Sequence, residues 1–182
     1  MSKKTIGVIV GSLRKESFNR SIANYVVSVI PAEYEVKFID IKDIDMFNQD
    51  LEDNPPASWT RLREDVKSSD AYLFFTPEYN RSVPAVLKNA LDVASRPYGQ
   101  NVWAKKPAGI VSVSMGGISA FGANHHLRQS LTFLDVYTLQ QPEAYIGNAM
   151  ELLDEKGVLV NENTKNFLKS YVDAFIAWVE KF

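Results

Sequence analysis

The chain has 182 residues, of which 46% are hydrophobic and 23% are charged, with a formal net charge of -2 and no cysteine. This composition argues against a nucleic-acid binder, which needs a strongly basic face, and the lack of cysteine excludes disulfides and thiolate nucleophiles. No apolar run approaches the roughly 20 residues that span a bilayer. We therefore expect a cytoplasmic enzyme or binding protein without a nucleic-acid or membrane partner, folded as one domain over residues 1–182.

Short apolar runs alternate with segments of helical periodicity along the chain. In chain order, the pattern predicts a strand over Ile6–Val10, a helix through Ile22–Ile30, a strand over Tyr34–Ile39, a helix through Trp59–Val66, a strand over Ala71–Phe75, a helix through Leu87–Ala94, a strand over Ala108–Val113, a helix through Leu127–Leu134, a short strand over Val136–Leu139 and a helix through Phe167–Val179. Strands that alternate with helices indicate an α/β fold, in which helices cover both faces of a parallel sheet.

Three loops are candidates for ligand binding because of their place in this fold. In open α/β sheets, ligands bind beyond the carboxyl ends of the strands, where the strand order reverses. The segments after the first, third and fourth predicted strands are Gly11–Asn19, Thr76–Ser82 and Ser114–Gly122. We expect these three segments to meet at one edge of the sheet.

The first loop, G-S-L-R-K-E-S-F-N at 11–19, has the composition of an anion-binding helix start. It matches neither the three-glycine dinucleotide fingerprint nor the P-loop. Ser12 and Ser17 offer hydroxyl donors, Asn19 offers an amide or a helix cap, and Arg14 offers a bidentate cation. These groups favour a single phosphate monoester at the helix N-terminus. An ordinary turn with Ser17 or Asn19 as the cap is the alternative.

The second loop, T-P-E-Y-N-R-S-V-P at 76–84, runs from a buried strand directly into a helix. Ser82 is the predicted N-cap of that helix, with Pro84 in its first turn. Tyr79 offers a planar face, and the backbone amides of Glu78–Asn80 are placed to meet the edge of a heterocycle. The alternative is a turn without a ligand.

The third loop carries two adjacent glycines, Gly116 and Gly117, within Ser114–Ser119. Paired glycines allow a ligand to approach the backbone closely, and they also allow positive φ angles. A ligand loop and a plain tight turn are both consistent with this pattern.

No acid–base or metal-binding constellation is predicted. His125 and His126 are adjacent on a predicted helix, so they lack the i, i+4 spacing of a helical metal pair, and a structural or interface role is favoured. The acidic stretch from Asp40 to Asp53 is interpreted as a solvated loop. We therefore predict no metal and no catalytic side chain.

Three motifs resemble those of the NADPH-dependent FMN reductases of the flavodoxin-like superfamily, which include bacterial quinone, azo-dye and chromate reductases. They are the 11–19 loop, T-P-E-Y-N-R-S-V-P-A-V-L-K-N-A-L-D at 76–92, and S-M-G-G at 114–117. Their order and spacing agree over nearly the full chain, including the D-E-K-G turn at 154–157. The resemblance implies a flavodoxin-like three-layer sandwich with a five-stranded parallel sheet of order 2-1-3-4-5.

The resemblance also implies an FMN site made of three groups of residues. The phosphate would be held by Ser12, Arg14, Ser17 and Asn19; the isoalloxazine ring would be lined by Pro77, Glu78, Tyr79 and Asn80, with Ser82 close by; and the pyrimidine end of the ring would be covered by Ser114, Met115, Gly116 and Gly117. Arg81 is assigned a contact to pyridine nucleotide or to a second subunit. The segment with His125, His126 and Arg128 falls where subunits meet in relatives.

The activity implied by the resemblance is FMN-dependent oxidation of NADPH or NADH, with quinones, azo compounds, free flavins or metal anions such as chromate as acceptors. FMN carries the chemistry in a ping-pong cycle, which fits the lack of a catalytic side chain. Members of the family work as homodimers or homotetramers. The alternatives are a flavodoxin-type electron carrier and a flavin-binding redox sensor, neither of which turns over NAD(P)H itself.

Overall fold

A computed structural model describes residues 3–182, so Met1 and Ser2 of the predicted 1–182 domain lie outside the described residues. The strands are β1 (Thr5–Val10), β2 (Glu35–Ile39), β3 (Ala71–Thr76), β4 (Pro107–Val113), β5 (Tyr137–Thr138) and β6 (Ala144–Ile146). The α-helices are α1 (Phe18–Ser28), α2 (Ala57–Lys67), α3 (Ala85–Ala94), α4 (Phe121–Phe133), α5 (Ala149–Leu152) and α6 (Glu162–Val179), and Gln49–Leu51 form a 3₁₀ turn.

The strands form a parallel sheet in the order β2-β1-β3-β4-β5, which confirms the predicted order. The register sets Val10 of β1 beside Phe75 of β3, and Thr76 of β3 beside Ser112 of β4. The carboxyl ends of β1, β3 and β4 therefore lie next to one another. The loops that follow these three strands leave the sheet at a common edge.

The fifth position of the sheet is shared by two short strands. Tyr137 and Thr138 pair with the start of β4, and Ala144–Ile146 pair with its end. Pro142 lies in the turn between them, and a proline has no N–H to donate to a ladder. The predicted strand over Val136–Leu139 is therefore shorter than expected, and β6 extends the same edge. The two pieces were hard to predict because strands of two or three residues show no periodicity.

Two apolar clusters hold the helices on opposite faces of the sheet, as predicted. One cluster joins Ile6 and Val8 of β1 to α1 and α6. The other joins Ile9 of the same strand to α2, α3 and α4. Successive side chains of a strand point to opposite faces, so a strand that is apolar throughout packs against both helical layers. Within residues 3–182, no helix is both long enough and apolar enough to cross a membrane.

Candidate active site

The first loop leaves the sheet under close packing. The N–H of Gly11 donates to the Phe75 carbonyl at 2.8 Å, so the chain stays paired with β3 for one residue beyond β1. A Cβ on Gly11 would come within 3.3 Å of atoms of Leu87, Pro84 and Phe75. A side chain at this position would therefore crowd Leu87 and Pro84 whether or not a ligand is bound.

The N-terminus of α1 has backbone donors without protein acceptors. Ser17 is the N-cap and its Oγ accepts from the Arg20 N–H at 3.2 Å, so of the two cap candidates, Ser17 and Asn19, the structure has Ser17. The N–H groups of Phe18 and Asn19 have no partner within the helix, and none of residues 3–182 accepts from them. The first turn of α1 carries no acidic residue. The positive end of the helix dipole therefore faces the loop uncompensated.

Polar side chains form the floor of this part of the site. Ser12, Ser17 and Asn19 are at most 9% exposed. Asn19 Nδ2 lies 3.4 Å from the Val113 carbonyl oxygen, while its buried Oδ1 has no hydrogen-bond partner among the described residues. Arg14 is exposed at the rim, and its guanidinium lies 5.5 Å from the centre of the Phe18 ring. The floor thus offers hydroxyl donors and one unsatisfied buried acceptor.

The second loop is a tight hairpin turn. Tyr79 and Ser82 exchange two backbone hydrogen bonds of 3.0 Å, and the residues between them, Asn80 and Arg81, have φ angles of 51° and 67°. Two successive positive φ angles are typical of a type I′ turn. The turn presents the half-exposed Tyr79 at its start.

This turn corrects two predictions for the second loop. Ser82 is not a helix N-cap: α3 begins at Ala85, with Pro84 at the N-cap position, because Ser82 closes the turn instead. The Tyr79 N–H is also committed to the turn. Of the three amides expected to face a ligand, only those of Glu78 and Asn80 remain without an acceptor among residues 3–182.

The Glu78 carboxylate lies at the N-terminus of α4. Its Oε2 accepts from the Ala123 N–H at 3.0 Å, and its Oε1 pairs with Arg81 Nη1 at 3.2 Å. The N-cap residue, Ala120, has no side chain that could do this. A Cβ on Gly122 would lie 2.9 Å from Glu78 Oε2, so the glycine makes room for the carboxylate. Sequence reasoning missed this cap, because its donor and acceptor are 45 residues apart.

The glycines of the third loop are not explained by the protein's own packing. Outside the chain neighbours, a Cβ on Gly116 would meet no atom within 4 Å, and a Cβ on Gly117 would meet only Asn148 Oδ1 at 4.0 Å. Neither glycine has a positive φ in the range that side chains avoid. The open space at both glycines leaves room for a ligand to approach this backbone closely.

The two histidines lie beside the second and third loops. His126 Nδ1 is 3.0 Å from Ser82 Oγ, and His125 Nε2 is 3.2 Å from the Tyr145 hydroxyl. Burial raises the pKa of Tyr145 to about 12, so this phenol is protonated at neutral pH. Arg128 points inward, with its side chain 14% exposed. Within the described part of the chain, no group of three or more His, Asp or Glu side chains is arranged to hold a metal ion.

The three loops converge on a cleft of about 280 Å³. Its lining includes the predicted residues Ser12, Arg14, Asn19, Pro77, Glu78, Tyr79, Ser114, Met115 and Gly116, together with Phe18 and Val113. Ser17 lies beneath as the cap and Gly117 follows Gly116, while Asn80 and Ser82 line a neighbouring cleft with His126 that shares Tyr79 with this one. Phe18 and Val113 were missed, although each adjoins a predicted residue or loop.

Comparison with known proteins gives a consistent family. The family model of NADPH-dependent FMN reductases matches residues 5–151. A quinone reductase of Pseudomonas putida is 52% identical over 177 residues, covering 97% of this chain and 95% of the relative. A 2-hydroxy-1,4-benzoquinone reductase of Burkholderia sp is 41% identical over 174 residues, covering 96% and 95%.

A solved structure extends this similarity to the fold. The flavoenzyme NAD(P)H:(acceptor) oxidoreductase FerB from Paracoccus denitrificans matches with a TM-score of 0.91 and 41% identity, covering 98% of each chain. Sequence and structure therefore agree over nearly the whole length. The chain belongs to the NADPH-dependent FMN reductase family of oxidoreductases.

Proposed function

We propose that this protein is an NAD(P)H-dependent quinone reductase that binds FMN in the cleft between its first, second and third loops. The observation that carries the proposal is the convergence of an unoccupied set of donors at the α1 N-terminus with two glycines that the protein's packing does not require. The acceptor class, quinones, is taken from the names of the relatives. In this proposal, the whole chain forms a single FMN-binding domain.

The phosphate of FMN fits the N-terminus of α1. Arg14 supplies a charged donor, and the hydroxyl hydrogens of Ser12 and Ser17 are free to donate, since the Oγ of Ser17 accepts from Arg20. The free N–H groups of Phe18 and Asn19 add two further donors. One monoester phosphate satisfies this set, because a helix N-terminus with flanking hydroxyls and a guanidinium binds a single anion.

Asn19 suits the ribityl chain of FMN better than its phosphate. The family resemblance assigns Asn19 to the phosphate, yet the atom without a partner is Oδ1, which accepts hydrogen bonds. Phosphate oxygens are acceptors as well, so they cannot satisfy it. A ribityl hydroxyl is a donor, and it would relieve the cost of this buried, unpaired oxygen.

The ring of FMN would lie between the second and third loops. Pro77 and Tyr79 would give apolar contact, the free amides of Glu78 and Asn80 would be the donors for its polar edge, and the Gly116–Gly117 backbone would cover its pyrimidine end. When bound, FMN supplies the hydride and electron chemistry between NAD(P)H and the acceptor. The protein's contribution is to orient the ring and to direct backbone donors at the place where negative charge develops.

The mouth of the cleft favours flat, apolar substrates that bind in turn. Tyr79 and Met115, which line it, and Leu13 of the first loop are each at least half exposed. Such an open surface suits a ping-pong cycle, in which the nicotinamide leaves before the acceptor enters the same space. We extend the proposed acceptors from quinones to azo compounds, free flavins and chromate, and we assign the exposed Arg81 to the pyridine nucleotide or a second subunit.

We also propose a homodimer or homotetramer. Ile118 and Phe121 of the third loop and Met150 of α5 are between 49% and 67% exposed. The Ala149 N–H donates to the Ser114 carbonyl at 3.1 Å, so α5 adjoins the third loop, and exposed apolar side chains in one region are typical of a surface that another molecule covers. Contact between subunits at this place would put each cleft beside the interface.

The test is steady-state oxidation of NADPH by the purified, FMN-loaded protein with 1,4-benzoquinone and no partner protein. We expect turnover, with parallel lines in double-reciprocal plots as for a ping-pong cycle. Protein that binds FMN but turns over no NADPH with any acceptor would favour an electron carrier or a redox sensor. Protein that binds no FMN would remove the proposal altogether.

A further inference from the structure

A buried polar chain links α4 to the third loop without lining the cleft. Arg128 Nε donates to Asn124 Oδ1 at 3.0 Å, Asn124 Nδ2 lies 3.4 Å from Ser112 Oγ, and Ser112 Oγ donates to the Ser119 carbonyl at 2.8 Å. Asn124 and Ser112 are both 0% exposed. Buried polar side chains are costly unless they are hydrogen-bonded, so these residues need one another to remain in the interior.

All the donors in this chain point in the same direction. The hydrogen-bond chain begins at the Arg128 guanidinium and ends at the Ser119 carbonyl. Hydrogen bonds that run in one direction polarise and strengthen one another. Arg128 is fixed at the start because its Nη1 also donates to the Leu139 carbonyl at 3.0 Å. The single hydroxyl hydrogen of Ser112 is directed to the Ser119 carbonyl at 2.8 Å in preference to the Ala144 carbonyl at 3.4 Å, while its oxygen receives the Asn124 amide.

The hydrogen-bond chain ends at a strained part of the third-loop backbone. Ser119 and Ala120 have φ angles of 60° and 56°, a conformation that costs energy for residues other than glycine. Ser119 in turn holds the glycines, because its N–H donates to the Gly116 carbonyl at 3.1 Å and its Oγ donates to the Gly117 carbonyl at 3.2 Å. The Ser112 bond therefore restrains the segment that positions Gly116 and Gly117.

We propose that Ser112 and Asn124 are positioning residues for the flavin ring: they hold the third loop in the shape that meets the pyrimidine end of FMN, although neither touches the cofactor. The inference rests on the proposed function, which places the ring against this loop. It predicts that loss of either residue weakens binding of the flavin ring while the phosphate site at α1 keeps its affinity.

The experiment compares three variants of the full chain, each measured by FMN and riboflavin titration, by the midpoint potential of the bound flavin and by thermal melting without flavin. Ser112→Ala removes the last donor of the chain. Asn124→Asp keeps an acceptor for Arg128 but has no amide hydrogen, so the Ser112 hydroxyl turns towards the carboxylate and releases Ser119. Ser69→Ala is the matched control, a buried serine beside the opposite end of the sheet whose Oγ donates to the Asp65 carbonyl at 3.2 Å.

We expect Ser112→Ala and Asn124→Asp to weaken FMN and riboflavin by the same factor, roughly threefold to tenfold, as for one net hydrogen bond. The affinity for the reduced flavin should fall further than the affinity for the oxidised flavin. A tenfold fall confined to the reduced form lowers the two-electron midpoint potential by about 30 mV. Ser69→Ala should lower the melting temperature comparably and leave affinities and potential unchanged.

Three results would be decisive against the inference or its basis. If Ser112→Ala and Asn124→Asp melt at a lower temperature but bind both flavins as the wild type does, the chain only stabilises the fold. If Ser69→Ala weakens the flavins equally, the effect is general destabilisation. If the wild-type protein itself binds no FMN, the proposed function fails rather than this inference alone.

Discussion

The N-termini of α1 and α4 stand at the same edge of the sheet, yet the protein treats them differently. Each helix follows a central strand, and neither carries an acidic residue in its first turn. At α4, the Glu78 carboxylate accepts from the Ala123 N–H. At α1, only a serine caps the helix and two N–H groups remain free. The protein provides its own anion at one helix and leaves donors free at the other, where we place the phosphate of FMN.

The two helix ends have different roles: the α4 end holds loops in place, and the α1 end is the proposed binding site for an anion. Because Glu78 belongs to the second loop, its contact with α4 ties that loop to the helix that follows the third loop. Ser82 and His126 form a second tie between the same elements, with 3.0 Å between their polar atoms. A helix end that is satisfied in this way holds loops in place. The unsatisfied end of α1 attracts an anion through its dipole and its donors.

Removal of the α1 site should have the largest effect on FMN binding. Arg14→Ala combined with Ser17→Ala deletes a charged donor and the cap hydroxyl, so FMN affinity should fall by at least about 100-fold, since bonds to charged groups contribute roughly 1.5–3 kcal/mol each. Riboflavin, which has no phosphate, should bind within about twofold of its wild-type affinity. Fluorescence quenching titrations of both flavins measure this difference.

Arg81→Ala serves as the control for this pair, because it deletes an exposed arginine from the second loop rather than from α1. It should leave the ratio of FMN to riboflavin affinity unchanged. An equal loss of both flavins in the Arg14 and Ser17 variant would show that the α1 end does not hold the phosphate.

Two glycines near α4 distinguish a position that matters for the ligand from one that matters for the protein's own packing. Gly116→Ala should change the free energy of unfolding of the flavin-free protein by no more than about 0.5 kcal/mol, because the added Cβ would meet no atom within 4 Å outside the chain neighbours, yet FMN affinity should fall by about tenfold to thirtyfold through overpacking. Gly122→Ala should instead destabilise the flavin-free protein by about 1–2 kcal/mol, since its Cβ would meet Glu78. Denaturant unfolding and FMN titration distinguish the two, and a Gly116→Ala protein with unchanged FMN affinity would contradict the ring assignment.

Removing the internal anion from α4 should have a smaller effect. Glu78→Gln keeps an oxygen for the Ala123 N–H but loses the charge, so the free energy of unfolding should fall by about 0.5–1 kcal/mol. The ratio of FMN to riboflavin affinity should not change, because the proposed phosphate site is at the other helix. Glu155→Gln, an exposed carboxylate in the 154–157 turn, is the control and should unfold like the wild type. A fall in the ratio for Glu78→Gln would mean that the two helix ends are coupled.

Ionic strength should produce the smallest effect. Raising the salt shortens the Debye length from about 30 Å at 0.01 M to about 3 Å at 1 M, so FMN affinity should fall by roughly threefold while riboflavin affinity stays constant. Titration of the wild-type protein at both ionic strengths measures this. Parallel changes for the two flavins would argue against a charged contribution from the α1 site.

Much of the fold was predictable because its signals are local. Buried strands such as Ala71–Phe75 and the amphipathic helices follow from hydrophobic runs and periodicity, and the strand order came with the family resemblance. The division of the last sheet position into β5 and β6 was not predictable, since it depends on pairing with β4 over two and three residues. Capping is also local, so the sequence narrowed the cap of α1 to Ser17 or Asn19, and the structure has Ser17.

The site was predictable as a set of loops but not in its internal contacts. The wrong prediction for Ser82 arose because two positive φ angles before it close a hairpin turn, which the residue types alone do not reveal. The roles of Glu78 and Asn124 depend on groups brought together by the fold, such as the Ala123 amide and the Ser112 hydroxyl. Whether the predicted residues bind FMN stays a prediction, and it is open to direct measurement.

The most direct measurement compares FMN and riboflavin binding to the wild-type, flavin-free protein. If the α1 N-terminus holds the phosphate, FMN should bind at least about 100-fold more tightly than riboflavin, the minimum expected from several charge-assisted hydrogen bonds. Equal affinities for the two flavins, or no binding of either, would contradict the assignment of α1 as the protein's phosphate site.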